Sequence, residues 1–448
     1  MFFKDFILNN FKEIKKGGIK IFYSKILTSL MILTNLCLIV FYLPLILIVY
    51  LISPFFLIRF SPLNSSRIGP FTSTTELYCC ERDAKINQSS RKFLDIFYLN
   101  GISNKQLVKM WKREIKIFPK FFISPIFFIN KFLCTFFHFP KKHDIIMNSV
   151  SLSNECDIYN LLEQFNPHLS FTPQEEEEGK KYLKSIGIKN NEKFICLITR
   201  DQKYLKTSFP LNDFSYHQYR NININKFKLT AENLANRGYY VIRMGKIVGT
   251  SFDTKNPKII DYANSRERND FLDIYLGAKC FFCISTQTGY DHIPSIFRKP
   301  LVYISHSLGS FFSHCKNSLV IIRHHFSEKK KRNLKLTEIV GSEIARTFNY
   351  FDLKKKNIKI LESTEEDIND VSLEMLDRLE GTWVENQDDL RRQKKFWKIY
   401  SSSKFTNEQS TKRYRTIKEL NFYEKKLHGE IKIKYGTKFL RKNSDWLN

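Results

Sequence analysis

At 448 residues the chain is long enough for two or three domains with a sizeable core. Its 72 lysines and arginines against 45 acidic residues give a formal net charge of +27, so its partner or working surface is anionic: nucleic acid, acidic lipid or a phosphorylated substrate. The nine cysteines fall in no regular framework, and their odd number argues against a fully paired secreted scaffold and for a reducing compartment.

The amino-terminal 25 residues carry Lys4, Lys12, Lys15, Lys16, Lys20 and Lys25 against only Asp5 and Glu13, and residues 26–53 contain no charge at all. Such a stretch favours bilayer over water, and it lacks the small-residue cleavage site of a signal peptide. As a helix it would be about 42 Å long, against a hydrocarbon core of roughly 30 Å. Pro44 would kink it. Positive charge on both flanks, including Arg59 and Arg67, fits a re-entrant segment with both ends cytoplasmic better than a single span.

Phe55–Phe60 then reads as a strand, Thr72–Arg82 as a helix, Asp95–Leu99 as a second strand and Asn104–Ile117 as a basic helix. That alternation predicts the start of a parallel sheet. Arg67, Gly69 and Glu76 fall at or near the first strand–helix turn. The phenylalanine-rich stretch 119–140 reads either as a segment lying against a bilayer or as a helix buried under the first domain.

Thr172–Pro173 followed by Glu175–Glu178 marks a helix start. Strands are predicted at Phe194–Thr199, Tyr239–Arg243, Ile259–Tyr262, Cys280–Ile284 and Pro300–Ile304, with helices at 225–237, 267–279 and 290–298 between them. This is the spacing of a doubly wound sheet. Ligands of such sheets bind beyond the carboxyl ends of the strands, where Arg200, Arg243, Lys246 and the loop Ser285, Thr286, Gln287, Thr288, Gly289 fall. Arginine and lysine there can neutralise a diphosphate. Cys280 and Cys283 form a CxxC with no partnering pair at zinc spacing, so buried apolar thiols are the better reading. Ile358–Leu361 adds a candidate final strand and Thr364–Leu379 a helix, followed by a basic tail bearing Trp383, Trp397 and Trp446.

The chain has no GxxxxGK[ST] and no GxGxxG, which removes support for ATP hydrolysis and hydride transfer. It has no Asp-x-Asp either, which favours stabilisation of a leaving diphosphate by basic side chains and backbone, without a metal or other cofactor.

Several segments carry a family resemblance: SSRIG (65–69), TELY (75–78), ISNKQLVKMWKR (102–113), LSFTPQEEEEGKKYL (169–183), YHQYRN (216–221), GYYVIRMGK (238–246), IIDYANS (259–265) and RNDFLDIYLGAKCFFCISTQTGYDHIPSIFRKPLVYI (268–304), then LESTEEDINDVSLEMLDRLEGTW (361–383) and FLRKNSDWL (439–447). Through them the chain resembles a bacterial family of GT-B-type glycosyltransferases from surface-polysaccharide gene clusters. One departure is Pro70, where that family usually has histidine after RIG. The resemblance implies an α/β chain of two Rossmann-like domains, with the sugar nucleotide on the second.

The expected organisation is therefore a basic, membrane-embedded segment (1–53), an acceptor-side domain (54–170), a nucleotide-sugar domain (171–362) and a helical basic tail (363–448). The expected activity is transfer of a sugar from a nucleoside-diphosphate donor to a glycan or lipid-linked acceptor at the cytoplasmic face of the inner membrane. Donor-binding candidates are Arg200, Arg220, Arg243, Lys246, Ser285, Thr286, Thr288, Gly289 and Asp291, with Gly289 the point of close backbone approach to the diphosphate. Glu76 is the candidate base. The rival readings are a sugar-nucleotide epimerase and a nucleic-acid-binding protein; the spread of basic residues and the lack of a binding motif disfavour the latter.

Overall fold

The computed structural model describes residues 22, 23, 25–27, 41–86, 89–145, 157, 159–305, 317–347, 349–402 and 430–448. Most of the predicted membrane segment lies outside these residues; 41–52 is helical, and no helix among the described residues is long and apolar enough to cross a membrane.

The chain first builds a small parallel sheet from β1 (Phe56–Leu63), β2 (Lys92–Leu99) and β3 (Ile117–Phe118), in that order. Helix α1 (Ile68–Asp83) is the crossover from β1 to β2, and α2 (Lys105–Glu114) the crossover to β3. The β1–β2 register places Arg59 opposite Asp95, and the two close a bidentate ion pair at 2.6 and 2.7 Å. Tyr78 from α1 donates to the same carboxylate at 2.7 Å, so the crossover helix is pinned to its sheet by one buried acid. The phenylalanine-rich stretch supplies α3 (Lys120–Leu133), whose inner face packs on the sheet through Ile123.

The second unit begins at α4 (Pro173–Ser185), where Thr172 and Glu175 form a reciprocal capping box. It continues through β4 (Phe194–Ile198), α5 (Gln202–Ser208), α6 (Lys228–Asn236), β5 (Tyr240–Arg243), β6 (Ile259–Ile260), α7 (Asp270–Lys279), β7 (Cys283–Ser285), α8 (His292–Ile296), β8 (Leu301–Ser305) and β9 (Leu319–Ile322). Two short strands, β10 (His325–Ser327) and β11 (Arg332–Asn333), lead through α9 (Leu336–Val340) and α10 (Tyr350–Lys355) to β12 (Ile358–Ile360). The carboxy-terminal part is α11 (Glu365–Glu380), α12 (Gln387–Ser402), β13 (Lys434–Tyr435) and α13 (Thr437–Lys442).

Seven of these strands make one parallel sheet in the order β13-β9-β8-β7-β4-β5-β6. Their apolar runs, such as Phe194–Ile198 and Leu319–Ile322, are buried throughout, as expected where helices cover both faces. The predicted strand at Ile358–Leu361 forms, but antiparallel to β10 in a separate three-stranded sheet. The predicted helix 290–298 shortens to α8, which contains Pro294 and is followed by Arg298 at positive φ. Among its described residues the tail packs on the large sheet: α11 lies on α6, β8 and β9, while β13 adds the edge strand beside β9. Tyr435 on that strand accepts the Ile322 N–H at 2.9 Å.

One hydrophobic cluster fills the β9–α11 side of the large sheet. A second runs from its other face, through α7 and α8, directly to Phe71, Tyr78 and Phe97 of the first unit. The two sheets are thus joined by continuous apolar packing.

Candidate functional site

Strand β4 lies between β5 and β7, so the connections leaving β4 and β7 turn to opposite sides of the sheet. A crevice forms where they diverge, the usual ligand position in this architecture. Its floor is zipped shut: the Thr286 N–H donates to Ile198 O at 3.2 Å, and the Arg200 N–H donates to Thr286 Oγ1 at 2.8 Å. Above it opens a cavity of about 560 Å³. Arg200, Arg220, Lys246 and His292 line it together with Arg67 and Pro70 from the start of α1.

The cations are held, yet not satisfied. Arg220 spends Nη2 on Gln287 O at 2.8 Å, but its Nε, like that of Arg200, is buried without a hydrogen-bond partner among the described residues. Burial first, then the charge of Arg220, pushes the Arg200 guanidinium down to about 10. Burial also lowers Arg220. A third guanidinium, the fully buried Arg323 at the end of β9, donates to Tyr219 O, Arg220 O and Asn221 O at 2.8, 3.0 and 3.3 Å. It fixes the turn that presents Arg220. Lys246 donates to Ser103 O at 2.9 Å and so spans the two units.

The loop after β7 is organised by Asp291. Its carboxylate accepts from Ser285 Oγ at 2.7 Å and from the Thr288 N–H at 2.9 Å, while Ser285 Oγ accepts from the Gln287 N–H at 3.1 Å. Burial raises the Asp291 carboxyl despite these bonds. The Ser285 hydroxyl and the Thr288 N–H are therefore engaged by the chain's own acid. Gly289 also differs from expectation. A Cβ there would lie 3.2 Å from Gly69 N, and one on Gly69 would lie 2.9 Å from His292 Cδ2 and 3.1 Å from Gly289 Cα. The close backbone approach at Gly289 is to the first unit; the loop packs on the start of α1.

Of the sequence candidates, the fold gathers Arg200, Arg220, Lys246, Thr288, Gly289 and Asp291 on the cavity wall, with Ser285 and Thr286 directly behind. It does not bring Arg243 or Glu76 there. Arg243 turns into the protein and pairs with Asp261 at 3.2 Å. Glu76 is wholly buried and pairs with Arg298 at 2.7 Å and His168 at 3.2 Å. Two contributors were not anticipated. Arg323 follows an apolar run, LVII, at the same strand-end position as Arg200 and Arg243, and that pattern would have found it. His292 stands in the quoted GYDH motif, its Nε2 4.0 Å from Asp291 Oδ1.

Among the described residues, Glu76, Cys80 and His168 bring metal-type donor atoms within 4.8 Å of one another. The Arg298 guanidinium occupies that cluster, donating to Glu76 Oε1 and lying 3.9 Å from Cys80 Sγ, and burial pushes the Cys80 thiol up. A fixed cation and a protonated thiol favour an ion-paired latch over a bound metal.

No protein-family profile and no curated protein sequence matches the chain. Among solved structures, a glycosyl transferase family 9 protein from Veillonella parvula is similar at 12% identity, with 59% of this chain and 85% of that one covered and a TM-score of 0.39. The Escherichia coli ADP-heptose lps heptosyltransferase II is similar at 11% identity, covering 59% and 90%, with a TM-score of 0.37. The iron-containing dodecameric glycosyltransferase TibC from enterotoxigenic E. coli is similar at 12% identity, covering 58% and 59%, with a TM-score of 0.30. Likenesses at these scores do not establish a shared family, so the chain is described by its own architecture: a seven-stranded parallel α/β sheet with a cation-lined cavity at its switch point.

Proposed function

We propose that the cavity binds a nucleoside-diphosphate sugar and that the protein is a GT-B-type glycosyltransferase, attached to the cytoplasmic face of the inner membrane through residues 26–53 and active on a glycan or lipid-linked acceptor in surface-polysaccharide synthesis. The observation that carries this reading is the pair Arg200 and Arg220: two partly buried guanidiniums at the switch point, each with a buried Nε that has no hydrogen-bond partner among the described residues. Like charges crowded away from water favour a multivalent anion between them, and a diphosphate supplies it bidentately. The segment resemblance named above supports the same substrate class.

In the transfer, an acceptor hydroxyl oxygen forms the bond to the anomeric carbon while the bond from that carbon to the diphosphate oxygen breaks. The nucleoside diphosphate leaves with the electron pair, and Arg200, Arg220 and Lys246 offset its charge. His292, on the cavity wall and beside Asp291, takes the acceptor proton. Glu76 lacks this position.

Thermal-shift titration with a panel of nucleoside diphosphates and their sugars tests the donor site. A matching ligand at about 100 times its Kd should stabilise the native state by about 2.7 kcal/mol, and Arg220→Ala should abolish the shift. Protection by none of the panel overturns the reading.

A further inference from the structure

A helix that is apolar all round belongs in a protein core or in lipid. Helix α3 is apolar on both sides apart from Lys120, Ser124, Asn130 and Lys131, and its outer side is in no core: Phe121, Phe122, Phe128 and Phe132 are exposed, and Phe136 and Phe137 follow its end. The exposure is large, 64% at Phe121 and 67% at Phe136. Alongside lies the helix 41–52. Tyr42 Oη donates to Phe121 O at 3.1 Å, and Tyr50 Oη donates to Asn130 Oδ1 at 2.8 Å. Steps of eight residues on one helix and nine on the other mean that the two run parallel, side by side. The second helix exposes Phe41, Leu47 and Leu51, and Phe55 just beyond it is 84% exposed. The inner sides of both helices are fixed by Val49, Ile123 and Ile126 against Phe60 and Tyr98. The outer sides form one broad apolar face.

Charge frames this face. Lys120 at one end donates to Asn100 Oδ1 (3.0 Å), while Lys142 and Arg91 at the other donate to Ser53 Oγ (2.7 Å) and Ser53 O (3.3 Å). Among the described residues these three charges meet neutral partners and no carboxylate; Lys131, paired with Asp144 at 2.7 Å, does not add to them. Helix α3, at 14 residues, is about 21 Å long, short of a hydrocarbon core of about 30 Å, so it lies along a bilayer and does not cross it.

We propose that the paired outer faces of 41–52 and 120–139 dock the protein onto an anionic lipid bilayer, the phenylalanines entering the acyl boundary while Lys120, Lys142 and Arg91 meet acidic headgroups. This contact rests on the membrane attachment proposed above, takes up its 41–52 part and adds α3 to it, and is independent of the reaction in the cavity.

The test uses the full-length chain with Phe137→Trp and vesicles of brominated phosphatidylcholine mixed with phosphatidylglycerol. The added tryptophan fluorescence should be quenched on binding, whereas that of Phe351→Trp, exposed on α10, should not. Binding should be about a hundredfold weaker without phosphatidylglycerol, as loss of about one kcal/mol at each of the three basic contacts requires. Failure to bind either vesicle, binding without quenching at position 137, equal quenching at both positions, or indifference to phosphatidylglycerol would each overturn the proposal.

Discussion

Arg298 Nη2 donates to Glu76 Oε1 at 2.7 Å, joining the segment that follows α8 to the crossover helix of the other sheet. Arg298 also donates to Phe165 O at 3.0 Å and Asn166 O at 3.3 Å, so it gathers three parts of the chain around one buried carboxylate. Removing one partner of such a pair leaves the other buried and uncompensated. Glu76→Gln should therefore cost about 3 kcal/mol of stability, read from chemical denaturation, while leaving nucleoside-diphosphate affinity unchanged. A variant of wild-type stability whose transfer rate collapses would restore Glu76 as the base.

His168 reports on the same latch. Burial works to lower its pKa, but hydrogen bonds and charge from Glu76 and Asp83 overrule burial and raise it above the ordinary histidine value. The partner agrees, since His168 helps hold the Asp83 carboxyl down against burial. For a group raised on folding, the stabilisation is complete below the unfolded pKa of about 6.5 and is lost as pH rises through the folded value. Wild-type melting temperature should thus decline above about pH 6.5 relative to His168→Gln. Parallel curves for the two proteins across that window would show that the pair contributes nothing.

Glu175 acts in the opposite sense on the acid side. Burial alone would raise its pKa, but the Thr172 N–H, Gln106, Lys109 and Arg113 hold it down at about 2. Because Gln106, Lys109 and Arg113 all come from α2, this carboxylate ties the first unit to α4. Its contribution is present above the unfolded value of about 4.3 and is lost as pH falls toward about 2. Glu175→Gln should lower stability at neutral pH by roughly 1–3 kcal/mol and flatten the acid limb of the stability profile. An unchanged acid limb would remove Glu175 as its origin.

The parts of this architecture that were legible in the sequence are those set by local pattern. The buried run Phe194–Ile198, the helix start at Thr172–Pro173 and the alternation from 194 to 305 predict the parallel sheet and the edge on which ligands sit. What stayed hidden is which way a strand-end side chain turns. Arg243 is the last residue of β5, opposite Leu197, whereas Arg200 lies two residues past the end of β4; Asp261, 18 residues beyond Arg243, captures the Arg243 guanidinium. Glu76 was similarly placed by its nearness to the first turn, while its partners, Arg298 and His168, are distant in sequence. Long-range pairing of this kind leaves no local signature.

Arg323 is the sharpest case, because it touches the cavity only through Arg220. Its three acceptors are the carbonyls of Tyr219, Arg220 and Asn221. Arg323→Met should keep the volume but free the turn, weakening nucleoside-diphosphate binding about tenfold with little change in turnover at saturation, since the reacting groups are untouched. Titration calorimetry and a KM-against-kcat comparison decide it. Equal diphosphate affinity would mean that Arg220 holds its place without Arg323.

The contact between Gly69 and Gly289 sets how closely the two units meet over the cavity. A methyl group on Gly69 would come within 2.9 Å of His292 Cδ2 and 3.1 Å of Gly289 Cα, distances at which something must shift. The imidazole can turn aside; the opposing backbone cannot, except by parting the units. Gly69→Ala should therefore cost roughly 1–3 kcal/mol, as overpacking does. It should also slow transfer by displacing His292. Gly289→Ala, whose methyl would meet Gly69 N at 3.2 Å, strains the same contact from the other side. Once one methyl has parted the units, the second finds the space already open, so the double variant should be less destabilised than the sum of the two singles by about 0.5 kcal/mol or more. Denaturation of the four proteins in the cycle measures this, and strict additivity would mean that the glycines do not share a contact.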